Sequence, residues 1–244
     1  MTFETFLVGG AVRDKILGVN PKDLDFVMLA PSFEEMKNSL LEQGAKIFVE
    51  KPEFVTIRCH HPILGAADFA CGRREDDYSD GRHPDKVNIT SNLVEDLARR
   101  DFTIGAIAQH TITGEIIDPF DGQKDIQNRL IRAVGNPQKR FQEDKLRVFR
   151  ALRFSITKSF QIENLTSEAI RNTESSDFTN VSTNRIQDEL LKMFSFNSFL
   201  ASNMIFGVFP FLGKLVIERG IWLEPTTKKN PQQINKKNFK EVME

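Results

Sequence analysis

The chain has 244 residues, 40% of them apolar and 27% charged, which is ordinary composition for one large or two small domains with a real core. A net charge of −1 excludes a global basic field, so any nucleic-acid site must be a local patch. The two cysteines, Cys59 and Cys71, exclude a disulfide or zinc framework and fit a reducing cytoplasm, and no apolar run approaches membrane-spanning length.

Phe6-Leu7-Val8 reads as a strand that stops at Gly9-Gly10, and Ala11 to Leu17 then has helical spacing. Such a turn leaves helix N–H groups without intrahelical partners at the positive end of the helix dipole, which suits a phosphate. Arg13, in the first turn, adds a charged fork. Asp23-Leu24-Asp25-Phe26-Val27 alternates like a strand, so both carboxylates share a face. Side by side they repel, and a hard divalent ion, Mg²⁺ above all, is the usual solution. Alone, D-x-D more often marks two exposed aspartates. The glycine turn just upstream reverses that balance toward a nucleoside triphosphate with its metal.

Ser32 to Gly44 predicts a capped helix burying Phe33, Met36, Leu40 and Leu41. Strands follow at 46–49, 54–59 and 66–70. Asp68 lies in the last, between Ala67 and Phe69, where a carboxylate is costly unless it faces water or finds a partner. Residues 73–86 are polar, turn-rich and charged on both signs, a solvated loop by composition. From Leu93 to Ala108, Glu95-Asp96 and Arg99-Arg100-Asp101 stand beside an apolar run, as a site rim or a salt-bridged helix surface would. Asp118-Pro119 and Asp121-Gly122 signal turns.

Gly135-Asn136-Pro137 breaks the chain, and one helix is expected from about Phe141. Glu143, Asp144, Arg147, Arg150 and Arg153 then form a slanted row, with Leu146, Phe149 and Leu152 as the core row. The neighbouring arginines repel, and a triphosphate or RNA backbone would relieve them. Leu165–Thr173 and Val181–Phe194 read as helices, and the apolar stretch Phe199–Ile217 is expected to be buried. Thr226 to Lys240 is rich in Lys, Asn and Gln.

LVGGAVRDKILG with KDLDFV, then RRDFT at 99–103, then EDKLR at 143–147, together resemble the class II tRNA nucleotidyltransferases (CCA-adding enzymes) and bacterial poly(A) polymerases, within the polymerase-beta superfamily. The resemblance covers about Phe6 to Phe194. It implies an α+β fold: a polymerase-beta-like nucleotidyltransferase head with a mixed sheet over 1–120, an all-helical neck over 121–180 and a shortened helical body over 181–244. It implies template-independent addition of C and A to the 3′ end of tRNA from CTP and ATP, with release of pyrophosphate. Asp23 and Asp25 would hold Mg²⁺, with Asp68 as a third catalytic acid. Gly9, Gly10, Arg13 and Arg150 would hold phosphates, Arg100 and Asp101 the ribose side of the nucleotide, and Arg153 would join the nucleotide site. Asp144 and Arg147 would face the Watson–Crick edge of the incoming base. The run Asp80–Pro84 resembles the family's flexible loop, and Gly105 stands where the family commonly has Asn. Family members generally continue into a longer body and a tRNA-gripping tail. The alternatives are a poly(A) polymerase, a partial CC- or A-adding enzyme, or an inactive RNA- or nucleotide-binding module.

Overall fold

A computed structural model describes residues 3–76 and 86–222. Asp80–Pro84 and Thr226–Lys240 lie outside them. Two compact units divide the chain, Met1–Asp144 and Lys145–Glu244.

The first unit opens with β1 (Thr5–Val8), α1 (Gly10–Ile16), β2 (Asp25–Met28) and α2 (Phe33–Glu42). It continues through β3 (Lys46–Lys51), β4 (Thr56–His61), β5 (Gly65–Cys71), β6 (Arg73–Asp76) and β7 (Lys86–Ile89). Then come α3 (Leu93–Ala98), β8 (Ala108–His110), β9 (Ile116–Ile117), α4 (Gly122–Gln127), β10 (Leu130–Ile131) and α5 (Pro137–Glu143). Seven strands form one sheet in the order β3-β4-β5-β2-β1-β8-β9. β2 and β5 run parallel while the other pairs are antiparallel, so the sheet is mixed as expected. β6 and β7 make a separate antiparallel hairpin.

Strand alternation decides which side chains meet which layer. Phe6, Val8 and Val27 pack with Leu93 and Leu97 of α3, and with Ala106, Ala108 and Val134. In register on β2 and β5, Phe26 and Phe69 stack with ring centroids 5.0 Å apart. Cys71 meets Met36 of α2, Sγ to Sδ 3.7 Å. α2 starts where the sequence indicates, because the Ser32 hydroxyl accepts from the Glu35 N–H at 3.1 Å. Phe33, Met36 and Leu40 are buried, but Leu41 is 48% exposed and falls off the expected stripe. Phe54 belongs to a short 3-10 turn, Pro52–Phe54, rather than to the strand expected at 54–59.

The second unit contains α6 (Leu146–Lys158), β11 (Gln161–Ile162), α7 (Asn164–Arg171), α8 (Thr183–Phe196), α9 (Ser198–Ser202) and α10 (Pro210–Glu218). Leu146, Phe149 and Leu152 are buried as their spacing predicts, with Val148 and Ile156 beside them. Phe149 meets Phe178 edge-on at 5.6 Å. The apolar stretch at 199–217 is only half inside. Ala201, Ile205, Phe209, Leu212 and Leu215 are buried, whereas Phe199 is 66% and Ile217 71% exposed. Among the described residues no single helix is long and apolar enough to cross a membrane; Ser198–Val208 and Pro210–Glu218 reach such a length and composition only as a pair bent by 101°.

Candidate active site

The glycine turn lies between β1 and α1. Gly9 adopts φ 68°, ψ −130°, a conformation that a Cβ makes costly. Its N–H is committed to Ile107 O at 3.1 Å, so Gly9 supplies shape rather than a donor. The donors come from the first turn of α1, which has no side-chain cap. Arg13 is buried and folds back over that turn. A Cβ on Gly10 would stand 3.3 Å from Arg13 Nη2, and Asp14 accepts from Arg13 Nε and Nη2 at 3.0 and 2.9 Å.

The acids sit on the neighbouring strands. Asp25 opens β2 and is the exact Cα partner of Asp68 on parallel β5, an alignment fixed in part by Asp68 N–H donating to Leu24 O at 2.9 Å. Both therefore share the sheet face of Val27, on which α3 packs. Asp23 lies in the bend before β2 rather than within it, which corrects the reading of 23–27 as one strand. Its charge still reaches Asp25. Burial raises the Asp25 carboxyl above the ordinary carboxylate range, Asp68 raises it further, Arg100 opposes this, and Asp23 adds to it.

Arg58 is the residue that sequence reasoning missed. It is the Cα partner of Asp68 across β4 and β5, with Nε 3.8 Å from Asp68 Oδ1. Only strand register brings it there, and nothing in its neighbourhood along the chain announces it.

Arg100 arrives from the C-terminal end of α3. A Cβ on Gly9 would stand 2.9 Å from Arg100 Nη1, so this guanidinium lies directly over the glycine turn. The half-buried Asp101 follows it, and its carbonyl accepts from Val134 N–H at 3.1 Å. A Cβ on Gly105 would meet open space within 4 Å, so the missing Asn leaves room rather than distorting the backbone.

Glycine turn, arginines and aligned acids thus stand together on one unit. Residues 5–132 match the family described as Poly A polymerase head domain. The chain belongs to that family. A CCA-adding enzyme of Lactobacillus helveticus (strain DPC 4571) is 38% identical over 191 residues, covering 78% of this chain and 46% of that protein. The crystal structure of the Bacillus stearothermophilus CCA-adding enzyme in complex with CTP superposes with a TM-score of 0.68 at 33% identity, over 79% of this chain and 45% of that one. The Thermotoga maritima CCA-adding enzyme complexed with tRNA gives a TM-score of 0.72 at 26% identity, over 91% of this chain and 50% of that one. The chain spans about half the length of these relatives.

The head-family chain departs from its sequence reading at the EDKLR segment. α5 ends at Glu143, Asp144 is extended at φ −143°, ψ 106°, and α6 starts at Leu146. Glu143 and Asp144 are therefore not on the helix that carries Arg147, Arg150 and Arg153. Glu143 accepts from Arg140 Nη2 at 3.0 Å, and Arg140 Nη1 donates to Ala98 O at 3.0 Å. The end of α5 is thereby tied to the α3 terminus that carries Arg100. In the second unit Arg147 is buried and Arg150 half-buried. Arg153 pairs with the buried Glu189 of α8 and covers the Phe154 ring at 4.1 Å, so it ties α6 to α8.

Among the described residues no group of three or more His, Cys, Asp or Glu side chains forms a ready-made metal cage. A hard divalent cation such as Mg²⁺ is commonly held by one or two carboxylates and completed by substrate phosphates and water. The crowding that raises Asp25 is what such a cation would relieve.

Proposed function

We propose that this chain carries the nucleotidyltransferase centre of an enzyme that adds C and A to the 3′ end of tRNA, using CTP and ATP and releasing pyrophosphate. The observation that supports it most is the alignment of Asp25 with Asp68 beside the Gly9–Gly10 turn, with Arg100 above the turn. Asp23 and Asp25 would hold Mg²⁺, with Asp68 adjacent. Bound there, Mg²⁺ would make the RNA 3′-hydroxyl a better nucleophile and offset charge on the departing pyrophosphate. The chain's own residues do the rest. The first turn of α1, with Arg13 and Arg100, orients the triphosphate, and Asp101 stands next to Arg100 for the ribose. Arg150 and Arg153 are assigned to the nucleotide by resemblance, and the Glu189 pairing of Arg153 favours a supporting role for it.

Base choice follows from hydrogen-bond chemistry. Asp144 and Arg147 are assigned to the base by resemblance: a carboxylate would accept from the exocyclic amine that cytosine and adenine share, and a guanidinium would donate to their ring acceptors. Guanine or uracil would turn a carbonyl toward the carboxylate, and leaving it unpaired costs about 1–3 kcal/mol. The head, neck and body division at 1–120, 121–180 and 181–244 belongs to the same proposal. So does a cytoplasmic setting, with which the free buried Cys59 and Cys71 agree.

The test is extension of a tRNA lacking its 3′ end, with labelled CTP and ATP given singly and together. Incorporation of both in order supports CCA addition, while A alone in long runs identifies a poly(A) polymerase. Asp23→Ala with Asp25→Ala should lower incorporation by about a thousandfold or more, as removal of an electrostatic catalytic group does, with an unchanged circular dichroism spectrum. Incorporation retained in that double variant rules the mechanism out.

A further inference from the structure

We propose that Asp96 is a positioning residue for nucleotide binding: it fixes Arg100 over the glycine turn and joins that arginine to the base of the β6–β7 hairpin. This rests on the reading of the glycine turn as the triphosphate site. Asp96 is fully buried, with 0% exposure, and both its oxygens are used. Oδ2 accepts from Arg100 Nη2 at 3.0 Å. Oδ1 accepts from Arg99 Nε at 2.9 Å and from the Arg73 N–H at 3.3 Å. Arg73 is the first residue of β6. One carboxylate thus joins a hairpin strand, the end of α3 and the guanidinium above Gly9.

Geometry gives the two arginines different roles. Arg100 Nη1 is the group aimed at Gly9, and its Nε is enclosed without a hydrogen-bond partner among the described residues. An arginine side chain has several rotatable bonds, so an untethered Arg100 would sample many positions and bind phosphate less well. Asp96, locked by burial, selects one. Arg99 shares Oδ1 and neutralises the carboxylate without being the group above the turn.

The full chain is titrated calorimetrically with CTP in the presence of Mg²⁺, and extension kinetics are run beside it. Asp96→Asn and Arg100→Lys should each raise the CTP Kd about tenfold, the usual scale for a residue that orients a binding group. The double variant should stay near the single ones, because both changes break one link. In Asp96→Asn the KM for CTP should rise in step while kcat stays within about twofold, the pattern of lost ground-state binding. Arg99→Gln should move Kd by no more than about twofold, since it leaves the Arg100 contact in place. If Asp96→Asn does not fold, Asp96→Glu serves: the displaced carboxylate should still raise Kd by about threefold or more. An unchanged Kd in the Asp96 variant that folds, additive losses in the double variant, or an equal loss in Arg99→Gln overturns the inference. A wild-type chain that binds no CTP overturns both this inference and the reading it rests on, which separates the two failures.

Discussion

Asp25 and Asp96 are the same residue type in opposite electrostatic situations. Asp25 is crowded by Asp68 and Asp23, and its carboxyl is raised by burial first and by those charges next. Its folded form binds a proton more readily than its unfolded form. Stability therefore falls as pH rises from the ordinary carboxylate value through the raised folded value, and the ionised group remains a cost at neutral pH. Asp25→Asn should raise the thermal midpoint at neutral pH and change it little in acid below the ordinary carboxylate range. A midpoint that drops at neutral pH would remove the argument from crowding. Mg²⁺ should raise the wild-type midpoint more than that of Asp25→Asn, since only the wild type offers the full acid pair. At Asp96 burial again pushes upward, but Arg99 and Arg100 outweigh it and hold the group below the ordinary range. Its contribution is present above the ordinary value and disappears as pH falls through the lowered folded value. The acid cost at Asp25 is consistent with a functional site, where local rules are broken for chemistry.

At the scale of elements, the segment around 118–125 turns out to be a brace. The Asp118 carboxylate accepts from Gly122 N–H at 2.7 Å and Gln123 N–H at 2.8 Å, capping α4. Asp125, buried, accepts from Thr103 Oγ1 at 2.7 Å and Arg132 Nε at 3.0 Å. Gly122 must lack a side chain, because a Cβ there would lie 2.2 Å from Thr103 O. The brace therefore holds the 103–105 turn, which follows Arg100 and Asp101 and approaches Gly9. In the sequence these residues read as turn signals, because the contacts that Asp125 and Gly122 make with Thr103, on an earlier turn of the chain, exist only once it has folded. Asp118→Ala should cost about 1 kcal/mol, the worth of a helix cap. Gly122→Ala should cost about 1–3 kcal/mol by overpacking. Urea unfolding monitored by circular dichroism checks both, and a neutral Gly122→Ala would show that α4 does not press on that turn.

At the scale of the whole molecule, the two thiols report on the integrity of the sheet. Cys59 and Cys71 lie in β4 and β5, and both are fully buried. Burial pushes the Cys71 thiol up to about 12 and raises Cys59 as well. Iodoacetamide at neutral pH should modify the native chain at least about a hundredfold more slowly than the urea-unfolded chain, because the thiolate is the reactive form. Rapid native labelling would mean that this layer opens. Local patterns by themselves determined a good deal of this protein. Glycines after an apolar run dictated the first turn, Ser32 dictated the start of α2, and the three-residue spacing of Leu146, Phe149 and Leu152 dictated the buried face of α6. These signals act within one turn of helix or a few residues of strand, so the order of residues contains them. Tertiary structure alone decided the rest: Arg58 opposite Asp68, the full burial of Asp96 and its bond to a hairpin strand, the break at Asp144 and the exposed half of 199–217. The reason is physical. Strand register and burial bring together groups that lie ten to a hundred residues apart, and which charge a carboxylate meets depends on that packing.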